Sequence, residues 1–388
     1  MKIPIIYNMR SLRQRPVSTI TTALGMGLVV AVFIAMMALS NGFRAALART
    51  GSTDNIILLR KSANQEMNSA ISRDGARLVA GLPFVATGSN GLPMVSPETY
   101  VVIPLQRAND GGLANVVARG VSPRAFDVRK GVEITNGRPF RSGAREVVVG
   151  KTFIQRFENS DIGDKLEFGG EEWTIVGHFE AAGSSFESEI WGENEQFMPV
   201  FRGQVFQSIT FRMRDPSAFE DAKNILENDS RLNVDAFREL EFYVNQSTLL
   251  SQVLSFIAVF IATIMAIGAV FGAINTMYAA VASRAPEIGM LLTLGFKRHN
   301  VLTSFLAEAG LIALLGGAIG CIAALPINGL VTSTTNWNTF SEIAFAFRVT
   351  PSLLGAGMAF SVIMGLLGGL FPAWKAARQN VVDSLRQA

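Results

Sequence analysis

Cysteine and histidine are nearly absent from this sequence, with one cysteine and two histidines in 388 residues. A single cysteine excludes a disulfide framework and a Cys-rich zinc site, and two histidines leave little for metal or triad chemistry. Charge is also sparse. Asp, Glu, Lys and Arg make up 17% of the chain, against about 25% in ordinary soluble domains. The formal net charge is only +3, so the total implies no broad basic surface for nucleic acid. Tyrosine is scarce as well, four against 27 phenylalanines, while glycine reaches 36. A mean hydropathy of +0.31 completes the picture of a membrane protein with a sizeable soluble part.

Four apolar stretches are long enough to cross a hydrocarbon core, which takes about 20 residues. They are residues 17–40, 249–282, 301–326 and 351–372. The first follows Lys2, Arg10, Arg13 and Arg15, as a signal peptide would. Its apolar run of about 23 residues exceeds the 7–15 of a signal h-region, and Ala38-Leu39-Ser40 is a poor cleavage site, so an uncleaved anchor is expected. Residues 1–16 place Ile3, Ile6, Met9 and Leu12 against Lys2, Arg10 and Arg13, the pattern of a helix lying in the membrane interface.

Basic residues set the orientation. The N-terminal arm has four, the 283–300 connection has Arg284, Lys297 and Arg298, and the 373–388 tail has Lys375, Arg378 and Arg386. The 327–350 connection offers only Arg348, balanced by Glu342. The positive-inside rule puts both termini and the 283–300 segment in the cytoplasm, leaving 327–350 as a short outer loop. The 41–248 insert then lies outside. It carries 23 basic and 27 acidic residues, a split that the small total hides.

That insert reads as α+β. Strand signals fall at Asn55–Leu59, Thr99–Pro104, Asn115–Val121, Glu146–Val149 and Ser208–Met213, and Gly169-Gly170 predicts a hairpin between Lys165–Phe168 and Trp173–Phe179. Pro216–Asn228 has a helical apolar face. Residues 181–195 read as a mobile acidic loop whose Glu187, Glu189, Glu193 and Glu195 match no calcium spacing. The fold class is therefore an α-helical membrane protein with four transmembrane helices plus an α+β extracytoplasmic domain between helices 1 and 2.

Catalytic chemistry finds no constellation here. Gly150-Lys151-Thr152 mimics the end of a phosphate-binding loop, but the position that must be its first glycine is Arg145. Any ATPase is expected on a separate polypeptide. His178, on a strand, and Cys321, in an apolar helix, read as packing residues. No catalytic, cofactor or metal residues are expected. Glu308 is the one acid inside a span, where a charge costs about 3 kcal/mol or more. It lies near the cytoplasmic end, where it can snorkel or pair with Lys297 or Arg298; a structural partner is expected in preference to a transported-proton role. Gly268/Gly272, Gly316/Gly320 and Gly365/Gly369 have the spacing of close helix contacts. In the 283–300 segment, Pro286 opens a short helix, Glu287 suits its first turn, Ile288, Leu291 and Leu292 form an apolar stripe, and Gly295 is a natural stop. Docking to a cytoplasmic partner and lying on lipid both fit this pattern.

At this segment the sequence resembles a known family. R-x-x-E-I-G-x-x-x-x-L-G (Arg284, Glu287, Ile288, Gly289, Leu294, Gly295), F-L-x-E-A (Phe305–Ala309) and L-L-G-G (Leu314–Gly317) look like the FtsX/MacB-type permeases of ABC transporters. The ending from Gly369 to Arg386 is similar to theirs, departing at Val381, where that family has proline. Arg10–Pro16 and the strands around Glu146 and Trp173 also resemble the family's first elbow and periplasmic domain.

The resemblance implies a non-catalytic permease of the bacterial inner membrane, dimeric with a second copy or a paralogue. It implies an ABC ATPase dimer in the cytoplasm that binds the ATP and magnesium, docked on Arg284, Glu287, Ile288, Gly289, Leu291, Leu294 and Gly295. Members split from their ATPase include DevC-like and LolC/LolE-like subunits. Export with a periplasmic adaptor and an outer-membrane duct is the first expectation. Lipoprotein or lipid extraction is the second, encouraged by Asn41-Gly42-Phe43, and FtsX-like activation of a periplasmic hydrolase the third. No nucleic-acid partner is expected. A membrane-anchored enzyme or sensor lacks the necessary catalytic or signalling parts.

Overall fold

The structure, a computed structural model, describes residues 5–129, 131–201 and 203–379, without the side chains of residues 5, 6, 8 and 9. The amphipathic positions Lys2 and Ile3, the side chains of Ile6 and Met9, and the tail signature beyond residue 379 with Val381 and Arg386 therefore lie outside what is described. The chain forms two compact units: Met1–Asn41 with Gln252–Leu330 and Phe347–Ala388, and Gly42–Ser251 with Val331–Ala346.

Among the described residues, four helices are long and apolar enough to cross a membrane: Pro16–Thr50, Glu239–Ala282, Arg298–Ile327 and Pro351–Ala377. The first two outrun their apolar stretches: residues 41–50 and 239–248 contain no proline, and the first helix runs on through Asn41-Gly42 to Thr50. The fourth starts at a proper cap, where Thr350 Oγ1 accepts from Leu353 N at 3.3 Å and Pro351 occupies the first turn.

Within the membrane unit, helices meet where side chains are smallest. A Cβ on Gly320 would fall 2.5 Å from the Gly27 carbonyl oxygen, and one on Gly316 2.8 Å from that of Ala23. Gly365 and Gly369 would each come within 2.4 Å of the methyls of Ala313 and Ala309. These two glycine pairs seat the third span against the first and the fourth. Gly268 and Gly272 are different: a Cβ there meets nothing within 4 Å. Their expected contact is not made among the described residues, because the spacing promotes close approach only where a helix faces it. Ser361 Oγ donates to the Ala313 carbonyl at 2.7 Å, and Cys321 Sγ lies 3.6 Å from that of Leu354, as packing residues do.

The second unit is built on strands β1 Asn55–Arg60, β2 Ile71–Ser72, β3 Val95–Gln106, β4 Leu113–Val121, β5 Glu133–Gly137, β6 Glu146–Gly150, β7 Lys165–Phe168, β8 Glu171–Glu180, β9 Ile190–Glu193, β10 Val205–Phe206, β11 Ser208–Arg212 and β12 Val234–Arg238. Ten form one mixed sheet in the order β12-β1-β11-β3-β4-β9-β6-β8-β5, with β7 on β8. Helix Phe219–Asn228 covers the β1/β11 end through Phe219, Ala222 and Leu226. At the other end, Trp173 stacks on Phe168 with centroids 5.2 Å apart and meets Phe197 edge-on at 4.6 Å.

Two expectations change here. The 327–350 connection contains strands β13 Val331–Thr335 and β14 Glu342–Ala346, a hairpin that belongs to the second unit. Glu342 does not balance Arg348; it pairs with Arg107 at 3.0 Å and with Arg156. A Cβ on Gly42 would fall 2.2 Å from the Ala346 carbonyl, and Phe43 meets Phe345 edge-on, so Asn41-Gly42-Phe43 includes two positions that receive this hairpin.

Gly320→Ala should lose about 1–3 kcal/mol of stability through overpacking, while Gly268→Ala should not destabilise the detergent-solubilised protein. Comparison of the two thermal unfolding midpoints checks this.

Candidate functional site: the segment joining the second and third spans

The chain leaves the second span at Ala282, turns at Ser283 and Arg284, and enters a nine-residue helix, Ala285–Thr293. Pro286 lies in its first turn with Glu287, where the helix dipole favours a carboxylate. Gly295 ends it with φ of 89°; its N–H donates to Leu292 O and that of Phe296 to Leu291 O, both at 3.1 Å. This is the glycine-stopped turn the sequence predicts.

The structure sorts the expected docking residues by face. Ile288 is buried against Met277, Val281, Val301 and Phe305, with Gly289 buried beside it. Arg284 is also buried. Glu287, Leu294 and Gly295 are exposed, and Leu291 is half-buried. Met290, which the sequence reading passed over, is 60% exposed, close to the 68% of Leu294. Two apolar side chains and one carboxylate thus form the outward edge of a helix whose other face is fixed.

What fixes it is an ion pair. Arg284 Nη1 donates to Glu308 Oε2 at 2.8 Å, and Ser11 Oγ donates to Glu308 Oε1 at 2.9 Å. The Arg284 guanidinium lies over the rings of Tyr7, at 5.2 Å, and Phe305, at 5.9 Å. Lys297 and Arg298 are therefore not the partners of Glu308. The third helix starts at Arg298, so at 1.5 Å per residue Glu308 sits about 15 Å further along, beyond their reach. Tyr7, from the N-terminal helix Ile5–Gln14, donates its hydroxyl to Glu287 Oε2 at 2.7 Å. Burial and then that carboxylate push the Tyr7 phenol up to about 12.

A second polar centre lies in the extracytoplasmic unit. The segment expected as a mobile acidic loop is instead a buried turn, Ser185–Ser188, followed by β9. Its acids are taken by protein donors; Glu187, Glu189 and Glu193 are buried, while Glu195 stays exposed. Glu187 Oε1 accepts from Ala181 N and Gly183 N, Glu193 Oε2 accepts from Gly143 N, and Glu195 pairs with Arg73 at 2.7 Å. Glu189 receives Arg119 Nε and the Trp191 indole, both at 2.8 Å. Arg119 also reaches Glu66 at 2.7 Å and Glu98 at 2.9 Å. Arg129 holds Glu98 and donates to Glu239 at 2.8 Å. Burial would raise the Glu98 carboxyl, but the facing guanidiniums of Arg129 and Arg119 hold it below its usual 4.5. Burial pushes the Glu189 carboxyl up despite Arg119. Gly150 fits the turn only without a side chain: a Cβ would fall 2.2 Å from the Glu187 carbonyl oxygen, and Thr152 donates to that oxygen at 2.7 Å. The apparent nucleotide-loop remnant thus packs on Glu187. His178 Nε2 lies 3.0 Å from the Ser160 carbonyl, a structural contact.

A family model described as the MacB-like periplasmic core domain matches residues 19–229, and one described as the FtsX-like permease C-terminal matches residues 259–381. The chain belongs to the FtsX/MacB-type permeases of ABC transporters. The macrolide export ATP-binding/permease protein MacB of Bdellovibrio bacteriovorus is 24% identical over 392 residues, covering 94% of this chain and 58% of that protein. MacB of Neisseria gonorrhoeae is 26% identical over 399 residues, covering 95% and 58%. The chain thus spans 58% of the length of these two relatives. The periplasmic region of MacB from Actinobacillus actinomycetemcomitans matches 52% of this chain and 95% of that one, at 14% identity and a TM-score of 0.39.

Arg119→Met should destabilise the protein by about 3–5 kcal/mol, because buried Glu66 and Glu189 lose their counter-charge and Glu98 is left with Arg129 alone. Burial already pushes the Glu189 carboxyl up and would then act without Arg119 opposing it, so part of the lost stability is recovered as pH falls from neutral into the acidic range and that carboxyl takes up a proton. In the parent the sign for Glu98 is opposite: its depressed pKa contributes stability above pH 4.5 that is lost only below it. Thermal unfolding across that pH range separates the two.

Proposed function

We propose that this chain is the permease of an ATP-driven exporter, relaying ATP hydrolysis by a cytoplasmic ABC ATPase to its periplasmic domain. The observation that carries this reading is the helix Ala285–Thr293. One face is tied by Arg284 to Glu308 of the third span, and Glu287 and Met290, with Leu294 just beyond its end, are left exposed for a partner. An apolar edge rimmed by a carboxylate suits a protein groove. Arg10, Arg13, Lys297, Arg298, Lys375 and Arg378 are exposed at the same chain ends and connection, which supports a cytoplasmic placement for them by the positive-inside rule.

ATP and magnesium belong on the ATPase, and no catalytic step is assigned to this chain. A second permease copy completes the transporter. The second span helix, the least covered of the four, has room for one. Export through a periplasmic adaptor is favoured over lipoprotein extraction, in keeping with the relatives named for macrolide export. The Asn41-Gly42-Phe43 motif that encouraged the extraction reading has a packing role against the 342–346 strand.

Leu294→Asp puts a charge on the exposed apolar edge without touching the buried face. It should abolish co-purification of the co-expressed cognate ATPase while leaving the permease folded. Wild-type association by this variant overturns the docking reading.

A further inference from the structure

The N-terminal helix Ile5–Gln14 has the pattern of an interfacial helix, and it also makes two directed contacts with acids of the other segments. Tyr7 and Ser11 are four residues apart and so share a helix face. Ser11 Oγ donates to Glu308 and Tyr7 Oη donates to Glu287, at 2.9 and 2.7 Å. Leu12 packs on the cluster that buries Ile288 and Phe305. Arg284 lies between the two acids, 2.8 Å from Glu308 and 3.8 Å from Glu287. The Glu287 carboxylate is thus held from two sides, by a phenol at hydrogen-bond distance and by a guanidinium further off. Its side chain remains 56% exposed.

A glutamate on a helix surface ordinarily samples many rotamers, and fixing it on binding costs side-chain entropy. A charge-assisted hydrogen bond that fixes it beforehand removes part of that cost from the association step. We propose that Tyr7 is a positioning residue of the docking edge: its hydroxyl holds the Glu287 carboxylate in the orientation in which a basic group of the ATPase meets it. The N-terminal helix is then a working part of the coupling segment rather than a membrane rest. The inference depends on the docking role proposed above for Ala285–Thr293.

Tyr7 acts through Glu287, so a double-mutant cycle isolates it. The full-length permease in nanodiscs is titrated with its purified cognate ABC ATPase. Tyr7→Phe keeps the ring beneath Arg284 and removes only the hydroxyl. It should raise the Kd about three- to tenfold with an unchanged unfolding midpoint. Glu287→Asp keeps the charge but shortens the arm beyond the reach of Tyr7. In that background Tyr7→Phe should change the Kd less than about 1.5-fold. An equal effect in both backgrounds, or none in the parent, overturns the positioning role. If Leu294→Asp also binds as the parent does, the docking reading itself has failed. If Leu294→Asp loses binding while Tyr7→Phe is neutral, only the role of Tyr7 has.

Discussion

A carboxylate buried among membrane helices needs a counter-charge, and at Glu308 that requirement organises the membrane unit's business end. In a low-dielectric setting the pair with Arg284 is worth keeping only with good geometry and with the remaining acceptor used. Both conditions hold: Arg284 takes one oxygen and Ser11 the other. Arg284 comes from the turn after the second span, Glu308 from the third, and Ser11 from the N-terminal helix. One neutralisation therefore ties three segments together. The short helix that follows Arg284 inherits its orientation from that tie, and Ile288 is pressed into the core by it. Its outer edge is what remains for a partner.

The extracytoplasmic unit repeats the device with more charges. Arg119 and Arg129 gather Glu66, Glu98, Glu189 and Glu239 from separate points along the chain into one buried network. Glu239 opens the long helix Glu239–Ala282, and its carboxylate also accepts from Asn55 Nδ2 and from Ser52 N. Ser52 follows the end of the helix Pro16–Thr50. The network thus fixes, inside this unit, the places where both long helices join the sheet domain. That is a sensible location for stiffness in a protein whose proposed task is to carry a push.

Local signals were legible wherever a residue's role depends on its neighbours in sequence. The four spans follow from hydrophobic length, the Lys165–Phe179 hairpin from two adjacent glycines, and the stop at Gly295 from the one residue type suited to a φ of 89°. Partners distant in sequence were not legible. Glu308 and Arg284 are 24 residues apart, and nearness along the chain favoured Lys297, which the rise of the helix carries away. Residues 181–195 looked like a solvated loop because composition alone cannot tell a glutamate facing water from one facing an arginine 70 residues away. Gly268 and Gly316 sit in the same spacing, yet only Gly316 has a helix against it.

By itself the sequence determined the number of spans, the inserted α+β domain, the separation of charge between them and the position of the short helix between the second and third spans. Each of these is a property of continuous stretches, where chain length, periodicity and turn chemistry act locally. The tertiary structure alone decided which face of the helix Ala285–Thr293 is free and which arginine neutralises the membrane acid. It also decided that the N-terminal helix reaches Glu287 and that the acidic loop is core. Those depend on which distant side chains the folded backbone brings within about 3 Å, the range over which hydrogen bonds form and outside which they do not.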